Sequence, residues 1–150
     1  MPLQTTYNAE PGVAYVGMLE HTGFKDIQSL NVEGTAPADN ISFGTVAVRG
    51  ANDFGVRKFA AGDAADDFIG FFVREQAIAA EYPNEIAPPE AAPVLLKGSI
   101  WVEVAVAVAN GDKVYIGAAG GIRGDAGEQF PDAYFESSAA AGELAIVRIK

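Results

Sequence analysis

The chain has 150 residues, of which 49% are hydrophobic, and it carries a formal net charge of -10 at neutral pH. This length and apolar content suit one globular domain with its own core, and the acidic charge disfavours binding to nucleic acid or to anionic membranes. The absence of cysteine excludes disulfides, thiolate metal sites and cysteine nucleophiles.

The N-terminal segment Met1–Pro11 is polar, and Pro2 and Pro11 disfavour helix and sheet positions within it. We expect an extended arm here, followed by a single domain over residues 12–150. The arm is either a frayed terminus or a segment that lies on a neighbouring subunit, where Tyr7 would anchor it. The segment lacks the charge and apolar pattern of a secretory signal. No run reaches the ~20 apolar residues of a membrane helix, so we expect synthesis in the cytoplasm.

The first half of the chain predicts short strands separated by turns. Alternating apolar residues indicate strands at Gly12–Leu19, Asp26–Val32, Phe43–Arg49 and Gly55–Phe59. Loops are predicted at Glu33–Asn40, Gly50–Phe54 and Ala60–Asp67. The continuously apolar Phe68–Arg74 should be covered on both faces, and Ala77–Tyr82 is compatible with helix or strand.

The longest alternating pattern, within Val94–Ile116, predicts the centre of a β-sheet. One face is wholly β-branched, and its residues are Ile100, Val102, Val104, Val106 and Val108. Asn110-Gly111-Asp112 predicts a tight hairpin turn, after which Lys113–Ile116 should return beside the first strand.

The remaining residues predict loops and one closing strand. Pro83–Pro93 contains four prolines and should be an exposed, semi-rigid loop. Gly117–Gly127 should be a loop, Glu128–Phe135 irregular, Ser137–Gly142 a turn and Leu144–Lys150 a strand. Short strands at this spacing predict an all-β fold, a single compact barrel or sandwich with long loops rich in proline and glycine.

No recognisable catalytic or cofactor pattern is present. The one histidine, His21, cannot build a multi-histidine zinc site and lies in a predicted surface turn. Asp63, Asp66 and Asp67 lack the spacing of an EF-hand, so they are either a solvated turn or part of a calcium site built from several loops. Arg123–Asp125 is the tripeptide that integrins read, but a glycine-rich hairpin loop is the simpler interpretation. We expect no enzyme activity, no cofactor and no metal.

The other features favour association with proteins. Trp101 lies on the strand face opposite the valines, where it either packs in a second layer or anchors a subunit interface. Ala105 and Ala107 on the same face are small enough to let another surface approach closely.

Four stretches form a longer pattern that covers nearly the whole chain in order and spacing. They are MPLQTTYNAEPGVAYVGML at the start, FGTVAVRG from Phe43, the segment Val94–Tyr115 with KGSIWV and NGDKVY, and SAAAGELAIVR from Ser138. The pattern resembles that of the structural cement proteins, or head decoration proteins, of tailed bacteriophages. The extra prolines within Glu81–Ala91 depart from it.

The resemblance implies a non-catalytic virion protein that binds the outer surface of the capsid and cements major capsid protein subunits. We also expect contacts with further copies of the chain, with trimers favoured and dimers possible, and the acidic charge predicts no binding to nucleic acid or membrane. The candidate interface residues are Leu3, Thr5, Tyr7, Phe71, Phe72, Pro88, Pro89 and Trp101. The alternatives are a β-sandwich module that binds carbohydrate or mediates adhesion, and a small hydrolase that uses clustered carboxylates.

Overall fold

The computed structural model describes residues 14–20, 23–74 and 85–150, and these residues form an all-β structure. The strands are β1 (Asp26–Val32), β2 (Ile41–Ser42), β3 (Val46–Arg49), β4 (Gly55–Lys58), β5 (Phe68–Phe72), β6 (Glu85–Ile86), β7 (Ala91–Glu103), β8 (Lys113–Ile116), β9 (Ile122–Arg123), β10 (Glu128–Phe135) and β11 (Leu144–Ile149). A short 3-10 turn covers Ala65–Asp67. No helix within the described segments has the length and apolar character needed to cross a membrane.

Five strands close into a small barrel. They are hydrogen-bonded in the order β1-β4-β3-β5-β7, and β1 also pairs with the first half of β7, which closes the ring. Alternate side chains of these strands form one hydrophobic cluster, the barrel core, which includes Leu30, Val32, Ala47, Val56, Phe72 and Val94. The two-stranded ribbon β2–β6 adds Ile41 and Ile86 to this cluster.

The second half of β7 belongs to another sheet, in the order β7-β11-β10-β8-β9. This sheet packs on the outer side of β3 and β5 and forms a second cluster, the sandwich core, which includes Val46, Phe71, Ile100, Val102, Phe130 and Val147. The Phe71 and Phe130 rings stack at its centre with centroids 5.0 Å apart. The fold is therefore a barrel and a sandwich that share one strand.

The prediction of an all-β barrel or sandwich is confirmed, as are two of its main details. β7 is fifth of the nine strands in the sheet order, and Ile100 and Val102 are fully buried. β5 is covered on both faces, because Phe71 lies in the sandwich core and Phe72 in the barrel core. Alternation along a strand sends neighbouring side chains to opposite faces, and here each face has a core of its own.

The predicted hairpin between β7 and β8 is wrong. β7 ends at Glu103, and its edge over Gly98–Glu103 pairs with β11, whereas β8 pairs with β10 and β9. The turn itself is present, since the Asp112 amide donates to the Ala109 carbonyl at 3.1 Å and Gly111 has φ +93°. Turn chemistry fixes the local chain reversal, but β11 occupies the edge that β8 would have needed.

Two further strand assignments differ at the start of the domain. Of the predicted strand Gly12–Leu19, the described residues form a turn, with the Met18 amide donating to the Tyr15 carbonyl at 3.0 Å, and only Leu19 makes a bridge, to Ile100. Gly17 has φ +79°, which a continuous strand does not accommodate. The strand predicted at Phe43–Arg49 begins at Val46 because the preceding residues form a turn.

Two segments predicted as loops, and one predicted as irregular, contain strands. Pro83–Pro93 includes β6 and the start of β7, and Pro93 fits the sheet because its carbonyl accepts from the Val73 amide at 2.9 Å. Gly117–Gly127 contains β9. Glu128–Phe135 is strand β10, but it is not a regular strand. Its register against β8 shifts between Gln129 and Tyr134, and Asp132 has a left-handed φ of +59°. The predictions for Met1–Pro11, His21 and Ala77–Tyr82 lie outside the described residues.

Candidate functional site

The candidate interface residues divide into core and surface positions. Phe71 and Phe72 have 0% exposure, and Pro88 is also buried, so their contacts are made within this chain. Pro89 is exposed and Trp101 is half-buried. Leu3, Thr5 and Tyr7 lie outside the described residues. Of the described candidates, Pro89 and Trp101 therefore offer surface for a partner.

Trp101 lies beside residues 17–20, near the first described residues of the chain. The Gly17 amide donates to the Trp101 carbonyl at 2.8 Å, and the Trp101 amide donates to the Met18 carbonyl at 2.9 Å. Next to them, the Glu20 amide donates to the Ser99 carbonyl at 3.1 Å. These bonds fix residues 17–20 along the edge of β7 that β11 does not use.

Arg74 reinforces this junction. Its amide donates to the Gly17 carbonyl at 2.8 Å, and its guanidinium lies 5.4 Å from the centroid of the Tyr15 ring and 5.6 Å from that of Phe43. A guanidinium over an aromatic face is attracted by the ring quadrupole. Tyr15 is nevertheless 64% exposed, so the junction presents an aromatic surface to solvent beside the segment that leads to Met1–Pro11.

The outer face of the second sheet continues from Trp101 across β11 to β10. Ile146 pairs directly with Trp101, and both are half-buried. The Glu136 carboxylate accepts hydrogen bonds from Ser99 Oγ at 3.0 Å and from Arg148 Nη1 at 3.2 Å. The hydrogen bond with Glu136 raises the pKa of Arg148. An apolar centre bordered by hydrogen-bonded charges is the usual make-up of a protein interface. We call Trp101, Ile146, Glu136 and Arg148 the Trp101 face.

A second surface feature lies at the end of the barrel. A depression of about 650 Å³, here called the barrel mouth, is lined by all five barrel strands and by the β3–β4 turn. Phe54 stands in that turn with 68% of its surface exposed and a left-handed φ of +58°. The sequence predicted the turn, but nothing in the pattern marked Phe54 or the closure of the barrel beneath it.

The Glu33 carboxylate fixes the conformation of this turn. It accepts hydrogen bonds from the Ala51 amide at 2.9 Å and from the Asn52 amide at 2.7 Å, and these bonds lower the pKa of Glu33. A Cβ atom on Gly50 would lie 2.5 Å from the Glu33 carboxylate, and one on Gly55 would lie 1.9 Å from it. Both glycines are therefore needed to let Glu33 hold the turn.

The acidic cluster around Asp63 and the tripeptide Arg123–Asp125 both form ion pairs within this chain. Arg57 forms two hydrogen bonds with the Asp63 carboxylate, at 2.8 and 2.7 Å, and this contact lowers the pKa of Asp63. Arg123 and Asp125 form an ion pair at 2.8 Å, so the two charged ends of that tripeptide bind each other. Over residues 14–20, 23–74 and 85–150 no group of three His, Cys, Asp or Glu side chains is placed to hold a metal ion.

Comparison with known proteins identifies the family. A family model described as "Structural cement protein (E217 gp24/Pam3 gp6)" matches residues 3–150. Among solved structures, a chain in the capsid of Myoviridae phage XM1 is similar with a TM-score of 0.75 at 16% identity, over 100% of this chain and 98% of that chain. The head fiber gp8.5 N base in bacteriophage phi29 is similar with a TM-score of 0.51 at 11% identity, over 85% of this chain and 95% of that chain.

At these identities the two solved structures show the shared fold alone, and no curated protein matches the chain. The family match confirms the resemblance predicted from the sequence, because it covers nearly the whole chain. The chain therefore belongs to the structural cement protein family of bacteriophages, as a capsid-associated structural component of the virion and not an enzyme.

Proposed function

We propose that this protein binds the outer surface of the phage capsid and cements major capsid protein subunits, with the arm Met1–Pro11 and the Trp101 face as its contact surface. The observation that carries the proposal is the pair of hydrogen bonds between Trp101 and residues 17–18. They hold Gly17 and Met18, which follow the predicted arm in the sequence, beside the one tryptophan of the chain, and this supports a contact surface that includes both elements.

The chemistry of the Trp101 face supports this use. Trp101 and Ile146 supply apolar surface, and tryptophan and arginine are the residues most often found at energetic centres of interfaces. Arg148 pairs with Glu136, so the Trp101 face carries no net charge in a chain whose net charge is -10. Two uniformly acidic surfaces repel each other, so a face without net negative charge is the better place for close contact.

An extended arm adds reach to a rigid domain. Eleven residues of extended chain span up to about 35 Å, which allows contact with a neighbouring capsid subunit or another copy of the protein. Ordering the arm costs conformational entropy, and many symmetric copies on one shell offset a modest affinity at each site through avidity. Trimers at local three-fold positions suit this arrangement best, and dimers are the alternative.

The test is co-sedimentation of the purified protein with undecorated phage heads, expanded and unexpanded. We expect saturable binding to expanded heads, and folded protein without head binding after deletion of Met1–Pro11. Trp101→Ala should weaken binding by roughly 30-fold, the equivalent of about 2 kcal/mol for a central interface residue. Phe24→Ala removes another exposed aromatic side chain and is the matched control.

Circular dichroism and a thermal melt of each variant separate loss of binding from loss of folding. Full occupancy by the protein that lacks Met1–Pro11 would show that the arm is not a contact. Unchanged binding of a folded Trp101→Ala variant would remove the Trp101 face from the proposal.

A further inference from the structure

We propose that the barrel mouth is a glycan-binding site, separate from the surface used for capsid attachment. The proposal goes beyond the cement function and depends on three features of the mouth. These are its shape, the presentation of Phe54 and the polar side chains at its rim.

The shape follows from the closure of the barrel. The ribbon β2–β6 covers the end at which β3 and β7 begin, where Ile41 and Ile86 join the barrel core. The opposite end is open, and its depression of about 650 Å³ lies within the range of pockets that hold small organic ligands. Its floor is apolar and is formed by Leu30, Ile69 and Leu96.

Phe54 is held at the rim at an energetic cost. A bulky residue with φ near +58° is rare, because its Cβ crowds the backbone. The turn maintains this conformation through Glu33, and the Asn31 amide donates to the Phe54 carbonyl at 2.9 Å. Such strain concentrates at binding sites, where it positions a side chain. The exposed ring presents a flat, electron-rich face, which suits the C–H face of a pyranose.

Polar side chains surround the ring and the floor. Gln28, Arg49 and Asp53 line the mouth, and none of the three makes a side-chain hydrogen bond or ion pair with another described residue. Amide, guanidinium and carboxylate groups can each bind two neighbouring hydroxyls. An apolar protein side chain in the mouth would instead strip water from Arg49 and Asp53 without replacing their hydrogen bonds. The combination therefore favours a sugar over a hydrophobic peptide.

The experiment begins with the labelled full-length protein on a printed array of bacterial surface polysaccharides and oligosaccharides. Glycans that bind are then titrated into ¹⁵N-labelled protein and followed by amide chemical shifts. We expect at least one glycan to bind saturably, with shifts concentrated at Gly50–Gly55 and Gln28. Phe54→Gly should weaken that binding roughly tenfold or more, which corresponds to about 1.4 kcal/mol.

Glycine adopts the left-handed conformation of residue 54 without strain, so the Phe54→Gly variant should remain folded. Phe24→Ala, which removes an exposed ring outside the mouth, should bind the glycan like the wild type. No glycan bound on the array, shifts away from the mouth, or full binding by Phe54→Gly would each overturn the proposal. Head binding by Phe54→Gly should be unchanged, so the outcome is independent of the capsid assay.

Discussion

Gly70 lies where the backbone of β5 comes close to the backbone of β7. It is buried in β5 and pairs with Ala47 of β3. A Cβ atom on Gly70 would lie 2.0 Å from the Leu95 carbonyl oxygen and 2.9 Å from the Leu95 carbonyl carbon. These are backbone atoms of the strand shared by both cores, so they cannot move aside as a side chain would. We therefore predict that Gly70→Ala forces β5 and β7 apart.

Inserting a methyl group into a well-packed core costs about 1–3 kcal/mol. Contact with backbone on a central strand puts this case at the upper end, at about 3 kcal/mol or more. For a chain of this length, each kcal/mol corresponds to about 2–4 °C in Tm, so the melting temperature should fall by roughly 6–12 °C. Urea unfolding and a thermal melt followed by circular dichroism measure both quantities.

Gly117→Ala is the matched control. The added Cβ would meet the Arg123 side chain at 3.1 Å, and that side chain can shift. Its cost should therefore stay within about 0.5 kcal/mol, as for most surface substitutions. A Gly70→Ala protein as stable as the wild type would refute the close approach of β5 and β7.

Two further predictions concern stability. Phe54→Gly should raise the free energy of unfolding by about 1 kcal/mol, since glycine adopts a left-handed φ without strain. A lower free energy of unfolding for this variant, measured by urea denaturation, would contradict that explanation. Arg57 lowers the pKa of Asp63 below its ordinary value of 3.8, so the ionised carboxylate is favoured in the folded state. Its stabilisation is complete above the unfolded-state pKa and is lost as the pH falls through the lowered folded-state pKa. Asp63→Asn should therefore lower stability at neutral pH and flatten the loss of stability in acid, whereas the exposed Asp66→Asn should do neither. Parallel pH profiles for the wild type and Asp63→Asn would contradict a native-state contact with Arg57.

Local patterns predicted β1, β4, β5, β7, β8 and β11 because alternation and burial are properties of neighbouring residues, but they missed β2, β6, β9 and β10. The predicted alternation identified Ile100 and Val102 as the buried face in the second half of β7, although β7 ends before Val104. The apolar run of β5 indicated cover on both faces. The partner of each strand depends on competition between distant segments. Asn110-Gly111 does form its turn, but the choice of β11 over β8 as the neighbour of β7 is not encoded in that turn.

The same distinction applies to the surfaces. Periodicity placed Trp101 opposite the valines, and the structure puts it on an outer face. The pattern could not show whether Phe71 and Phe72 are core residues or interface anchors, because an apolar run is typical of both. The barrel mouth depends on the pairing of β1 with β7 and on the φ of Phe54. The sequence signal for it is weak, a phenylalanine between two glycines, Gly50 and Gly55.

The continuous backbone of β7 has a mechanical consequence. Its 13 residues form the wall of the barrel in one half and the edge of the second sheet in the other. A force that separates the barrel from the second sheet therefore acts along the covalent backbone of β7. The flanking hydrogen bonds to β1, β5 and β11 are then loaded in shear and must break together instead of one at a time. The shared strand makes the domain stiff along its length, which suits the proposed role as a rigid link between capsid subunits.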